Sequence, residues 1–233
     1  MKKKLFLLPF LALGLMFAAC EKENNNTTGD NPGGGDTPTP GQALTLNLNY
    51  EQVQGWLGQS GSAVESQLLQ MGFVRDEEGD YEKESDPITY IKFDMINMSG
   101  YVCNLLLDDN NGVVEASMVY EAMNASCTFG TTVATFKKYT EIQNQTYASY
   151  QNPYNEGYIS YEIDDDDYFY NEYSTYTDFI ADINNLTEQN TCGLYWGSFY
   201  EEFSIATIAD YENMEEGKTM LIGIIASQPS NDF

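Results

Sequence analysis

Tyr101-Val102-Cys103-Asn104-Leu105-Leu106-Leu107 and Val113-Val114-Glu115-Ala116-Ser117-Met118-Val119-Tyr120 are two β-rich runs joined by Asp108-Asp109-Asn110-Asn111-Gly112. Asn-Gly tolerates the positive φ angles of a tight loop, so the stretch predicts a β-hairpin. Upstream, Ile91, Phe93 and Met95 alternate with Lys92 and Asp94, the period of a half-buried strand. Asp76 to Asp80 is a polar turn around Gly79. Two short helices precede it. Asn49 caps the first, with Val53, Trp56 and Leu57 as its apolar contacts. Ser62 and Glu65 form a capping box for the second, over Val64, Leu68 and Met71, and Gly72 stops it.

Downstream, Val133, Phe136, Tyr139, Tyr147 and Tyr150 line one stripe of a longer helix that Pro153 ends. Thr175 with Asp178 caps another, with Tyr176, Phe179, Ile180, Ile183 and Leu186 on one face. Leu194 to Phe199 reads as a strand. Phe203 to Ile208 and Thr219 to Ala226 read as a second hairpin across the polar loop Asp210 to Lys218. These periods predict an α+β domain over residues 43–233, an antiparallel meander with helices packed on one face. The order admits two tandem αβ units, 43–128 and 129–233.

The amino terminus has a different character. Met1-Lys2-Lys3-Lys4 precedes an apolar run from Leu5 to Ala19 that ends in Phe17-Ala18-Ala19-Cys20. Fifteen residues at about 1.5 Å each give roughly 22 Å of helix, short of the ~30 Å hydrocarbon core. A basic start, a short apolar run and small residues are the layout of a signal peptide, residues 1–19. Phe17-Ala18-Ala19-Cys20 resembles the lipobox of Gram-negative lipoproteins, with Phe17 where leucine is usual. The resemblance implies cleavage before Cys20, a diacylglycerol thioether on its sulfur and an acylated new amino terminus. Acyl chains bury about 0.8 kcal/mol per methylene, and several together hold a durable anchor in the bilayer.

Residues 20–42 follow as a tether. Asn24 to Gln42 is rich in Asn, Thr, Gly and Pro and has little to bury, so disorder is expected. Its r.m.s. span is about 26 Å. Glu21-Lys22-Glu23 resembles the surface-export signal of lipoproteins in gut-type Gram-negative anaerobes, which implies display on the outer face of the outer membrane. The periplasmic face is the alternative address.

The formal charge is −26, and loss of residues 1–19 removes three lysines and no acid, leaving −29. Such a field repels phosphate backbones, so nucleic acid is excluded as a partner. Histidine is absent from all 233 residues, which excludes Ser-His-Asp and Cys-His catalysis. No GxxxxGK[ST] sequence is present. Three cysteines besides Cys20, with no CxxC pair, make no structural zinc site. No cofactor and no metal are implied. Carboxylate chemistry survives, such as a pair of acids cleaving a glycosidic bond. Cys103 reads as a small buried hydrophobe, and the odd number of thiols argues against an essential disulfide.

Residues 147–176 hold nine of the eighteen tyrosines. Tyrosine offers a flat apolar face and a hydroxyl, which suits a sugar ring or a protein partner. Tyr158, Tyr161, Tyr168, Tyr170 and Tyr173 are the candidate ligand contacts. Asp164 to Asp167 reads as a solvated acidic loop, because the EF-hand glycine is missing. The expected function is a surface-anchored lipoprotein whose acidic, tyrosine-rich domain binds an extracellular glycan or protein. A carboxylate-dependent polysaccharide hydrolase and a structural or periplasmic accessory lipoprotein are the alternatives.

Overall fold

The structure is a computed structural model that describes residues 41–229, apart from 77–78, 85–88, 92–93, 124–126, 152, 165–166 and 215–216. The side chains of 84–98, 162–169 and 214 are outside the description as well. In chain order the described elements are α1 (Tyr50–Trp56), α2 (Gly61–Gln70), β1 (Val74–Arg75), β2 (Tyr81–Glu84), β3 (Thr89–Ile91), β4 (Asp94–Asp108) and β5 (Gly112–Met123). There follow α3 (Phe129–Thr146), β6 (Tyr154–Asp164), β7 (Asp167–Tyr173), α4 (Tyr176–Ile183), β8 (Thr191–Phe199), β9 (Ser204–Met214) and β10 (Gly217–Ser227). This is an α+β fold. The strands form one antiparallel sheet in the order β1-β2-β4-β5-β10-β9-β8-β6-β7, with β3 paired to β4.

The hairpin that opens the sequence reading is β4–β5. Asp108 Oδ1 accepts from the N–H groups of Asn110 and Asn111 at 2.9 Å each, and Gly112 adopts φ +73°. The turn between α1 and α2 docks there. Gly58 N–H donates to the Val113 carbonyl (2.9 Å), and Val113 N–H donates to the Gln59 carbonyl (2.8 Å). A Cβ on Gly112 would lie 3.0 Å from the Gln59 carbonyl carbon, so glycine is needed there for space as well as φ.

Four elements differ from expectation. Ile91 and Met95 are not on one strand: Ile91 ends β3 and Met95 belongs to β4, with Tyr90 paired to Met95 and Ile91 to Asp94, while Lys92 and Phe93 lie outside the described residues. Helix α2 starts at Gly61 with Ser60 as N-cap and no side-chain cap, so the Ser62–Glu65 capping box does not form. Ser62 is already helical, and its carbonyl accepts from Ser66 Oγ at 2.8 Å. The polar segment expected as a loop from Asp210 is strand as far as Met214. Ala209 and Tyr211 are buried while Asp210 and Glu212 alternate with them, so period two persists beneath the polar composition. Helix α3 ends at Thr146, and Tyr147 and Tyr150 lie in the turn beyond it. The other caps form as expected, Asn49 for α1 and Thr175 for α4.

The helices meet the sheet through aromatic and polar contacts. Phe179 of α4 stacks on Trp196 of β8, with ring centroids 5.1 Å apart at 22°. From α3, Gln143 Nε2 donates to Ser198 Oγ (3.2 Å) and the Ile205 carbonyl (3.3 Å), and its Oε1 accepts from Thr207 Oγ1 (2.6 Å). Tyr50 of α1 places its hydroxyl 2.7 Å from Thr207 Oγ1 and 2.9 Å from the Tyr139 carbonyl. Trp196 pairs with Thr207, which pairs with Ile224, so these contacts fall on one face by register. Leu44 to Leu48 forms a strap along α3. Its N–H groups at Leu44 and Leu46 donate to Thr135 Oγ1 (3.0 Å) and Tyr139 OH (2.7 Å).

Cys103, Cys127 and Cys192 are buried, with Cys127 Sγ donating to the Ala122 carbonyl at 3.4 Å, and burial pushes the Cys192 thiol up to about 12. That is a packing role for all three.

Candidate functional site

Successive side chains of a strand point to opposite faces, so the tyrosines of β6 and β7 divide. Tyr161 and Tyr173 pack against the core on the face of Trp196. The Tyr173 ring lies 5.3 Å from Phe179, and its hydroxyl donates to Asp182 Oδ2 of α4 at 2.8 Å. Tyr158 and Tyr170 stand on the other face, 6.1 Å apart. Tyr168 pairs with Glu162 in β7, and its side chain lies outside the described set. Cys20 lies outside the described residues, as do Asp165 and Asp166 of the acidic run. Asp164 and Asp167 pair as the ends of a hairpin.

The arrangement around Tyr158 was not singled out in the sequence. Glu156 lies two residues before it on the same face. Its Oε1 accepts from Tyr154 OH at 2.8 Å and its Oε2 from Tyr158 OH at 3.0 Å. Tyr195 of β8 stands opposite Tyr158 with ring centroids 5.6 Å apart, and Tyr154 leans on Phe199 at 5.9 Å. The Tyr195 ring lies along its own strand over Gly197, where a Cβ would sit 2.8 Å from ring carbons Cε1 and Cζ. The signal was available: Tyr154-Asn155-Glu156-Gly157-Tyr158 alternates with period two, but counting tyrosines without regard to faces hid it.

Electrostatics keep these phenols protonated. Burial raises the Tyr158 hydroxyl, and Glu156 and Glu172 raise it further. The hydrogen bond to Glu156 is the leading cause for Tyr154, and burial for Tyr195. Each phenol is therefore a donor at neutral pH, and the Glu156 oxygens keep spare lone pairs for a ligand. Tyr154 and Tyr170 expose 61% and 49% of their surface, which leaves ring faces free to stack.

The rest of this face is apolar at its centre. Across the strands, Val102, Val119, Gly223, Ile208, Tyr195, Tyr158 and Glu172 stand in one row. The next row runs Ser117, Ile225, Ala206, Gly197 and Glu156. Val119 and Ile208 close over Gly223, where a Cβ would lie 2.7 Å and 3.2 Å from them. Val119, Tyr195, Ala206, Ile208, Leu221 and Ile225 are buried yet lie outside the continuous core that the helices share. Between Leu221 and Gly193, burial and Glu212 push the Asp210 carboxyl up to about 7.

Among the described residues no group of three or more His, Cys, Asp or Glu could hold a metal ion. No described helix is long and apolar enough to cross a membrane. Comparison with protein-family models, curated proteins and solved structures finds no match.

Proposed function

We propose that this chain is a lipoprotein held in the outer membrane through acylated Cys20, displayed on the cell surface, where its sheet binds an extracellular glycan or protein. One observation carries the binding part: Tyr154, Tyr158, Tyr170 and Tyr195 gather around the Glu156 carboxylate on one face. Exposed rings beside an oriented acceptor can stack on a ligand and fix its hydroxyl or amino groups. In this reading all four helices cover the opposite face, and two αβ units join where β5 meets β10. The strap at Leu44 to Leu48 lies against α3, on the side of the sheet opposite the tyrosine face.

The hydrolase reading has one feature in its favour, the Asp210 carboxyl raised to about 7, which suits a general acid. Its neighbour with a raised carboxyl, Glu121, has its backbone roughly 10 Å away over two strand spacings, and the buried Leu221 stands between the two where a substrate bond would have to lie. Paired glycosidase acids sit at about 5–9.5 Å with the substrate bond between them. Binding is the better account.

The test uses full-length protein in detergent on a glycan array and a panel of purified surface proteins at micromolar concentration. A ligand retained by the native chain and weakened about tenfold in Tyr154→Ala or Tyr170→Ala is expected, the size of one lost aromatic contact. No ligand on either panel would contradict the proposal.

A further inference from the structure

Charge is sorted between the two faces of the sheet. Of the described cations, Arg75 pairs with Glu65 at 3.7 Å and lies over the Tyr81 ring. Lys83 Nζ donates to the Met71 carbonyl at 2.6 Å, Lys137 to Asn184, and Lys138 to the Leu44 carbonyl at 2.9 Å. Lys218 alternates with Met220 and Ile222, on the Trp196 face. By register, none of the five shares the face of Tyr158. Glu115, Glu121, Glu156, Glu172 and Asp210 all do.

Carboxylates gathered around apolar side chains repel one another and lose hydration. The consequences are visible at both ends of the Leu221 row. Burial holds Glu121 above the usual carboxylate range, with Glu82 and Asp80 adding to it, and Asp210 is displaced in the same direction. A partner bearing positive charge would relieve both effects, and a neutral sugar would relieve neither.

The geometry around Tyr158 fits such a partner. Glu172 stands directly across from Tyr158, and Glu156 holds its hydroxyl, so two carboxylates bracket one ring. The Tyr158 and Tyr170 rings lie 6.1 Å apart, and Tyr154 is exposed beside them. A guanidinium can lie over tyrosine faces while its forked N–H groups reach the open lone pairs of a carboxylate. Beyond it, the exposed rings of Tyr154 and Tyr170 offer apolar contact, while Tyr195, Ile208 and Val119 are buried and only form the floor of this face.

Resting on the binding function above, we propose that this face takes a cationic amphipathic peptide. An arginine or lysine sits between Glu156 and Glu172 over the tyrosine rings, and apolar side chains pack on the exposed rings of Tyr154 and Tyr170. The peptide is therefore the ligand class, and the net charge of −26 steers it to the surface.

The experiment titrates full-length protein in detergent with a short fluorescent peptide of alternating arginine and leucine. The same peptide with glutamate for arginine and a neutral oligosaccharide panel are the comparators. The arginine peptide should bind, and its affinity should fall about tenfold or more as salt rises from about 0.05 to about 0.5 M. Glu156→Gln with Glu172→Gln should weaken it about tenfold or more, and Glu141→Gln on exposed α3 should not. If the double variant unfolds, Tyr170→Ala, an exposed position, should still weaken binding several-fold. Equal binding of the glutamate peptide, or no change in any face variant, would overturn the proposal. Oligosaccharide binding without peptide binding would overturn it while leaving the binding function standing; silence from all three would remove both.

Discussion

Trp196→Ala is expected to lower the unfolding free energy by about 3–5 kcal/mol, the usual cost of removing a large buried aromatic side chain. Trp196 is 1% exposed. Its indole stacks on Phe179 and meets Tyr176 at 5.0 Å, and Nε1 donates to Asn144 Oδ1 at 3.4 Å. A single side chain thus joins β8 to both α3 and α4. It also covers Gly157, where a Cβ would lie 2.9 Å from Trp196 Cε3 and 2.9 Å from Phe179 Cδ2. Gly157 sits between Glu156 and Tyr158, so the packing beneath β6 sets the height of the tyrosine platform above it. The variant should lose about 10 °C in Tm and weaken any ligand of the platform. A fall of less than about 1 kcal/mol in urea unfolding would show that the helix layer does not bear on this strand.

Gln143→Glu is expected to be mild in acid and severe at neutral pH. In the native chain the Gln143 amide is fully buried and bonded on both sides, accepting from Thr207 and donating to Ser198 and the Ile205 carbonyl. The two hydroxyl hydrogens of Tyr50 and Thr207 serve three short contacts, so this cluster has no donor to spare. A protonated glutamic acid keeps most of the pattern, its single O–H donating to the Ile205 carbonyl and its other oxygen accepting from Thr207. An ionised one would face the Ile205 carbonyl and lose its hydration, so its folded pKa must rise well above about 4.3. Between the two pKa values the unfolded chain binds fewer protons than the folded one. Stability therefore falls as pH rises, by about 1.4 kcal/mol per pH unit. Urea unfolding near pH 4 should resemble the native protein, and by pH 7 the loss should reach about 3 kcal/mol. The same deficit at both pH values would mean that the cluster is hydrated and the carboxylate tolerated.

The hairpin at Gly112 was legible because its turn chemistry and its apolar strands agree. The caps at Asn49 and Thr175 were legible for the same reason, each placing one oxygen where two or three N–H groups lack partners. The β6–β7 hairpin was not. Its strands carry tyrosine, aspartate and glutamate, and its turn lies in an acidic run, so composition masked a period of two. Asp210 to Met214 failed in the same way, because a charged residue on one face of a strand says nothing about the buried one beside it. Of the five candidate tyrosines, the sheet brings Tyr158 and Tyr170 together and turns Tyr161 and Tyr173 inward. Glu156, Tyr154 and Tyr195 complete the site, and Tyr195 comes from a strand about 37 residues further on, a pairing that only the topology reveals.

Surface-restricted enzymatic iodination of tyrosines on intact cells, followed by peptide mass spectrometry, tests the two-faced sheet and the proposed display outside the cell together. Tyr154 and Tyr170 should be labelled, and Tyr50, Tyr139 and Tyr147, which are 2–4% exposed, should not. Label on Tyr50 and Tyr139 equal to that on Tyr154 would contradict the assignment of faces, and label on Tyr154 and Tyr170 only after lysis would contradict display outside the cell.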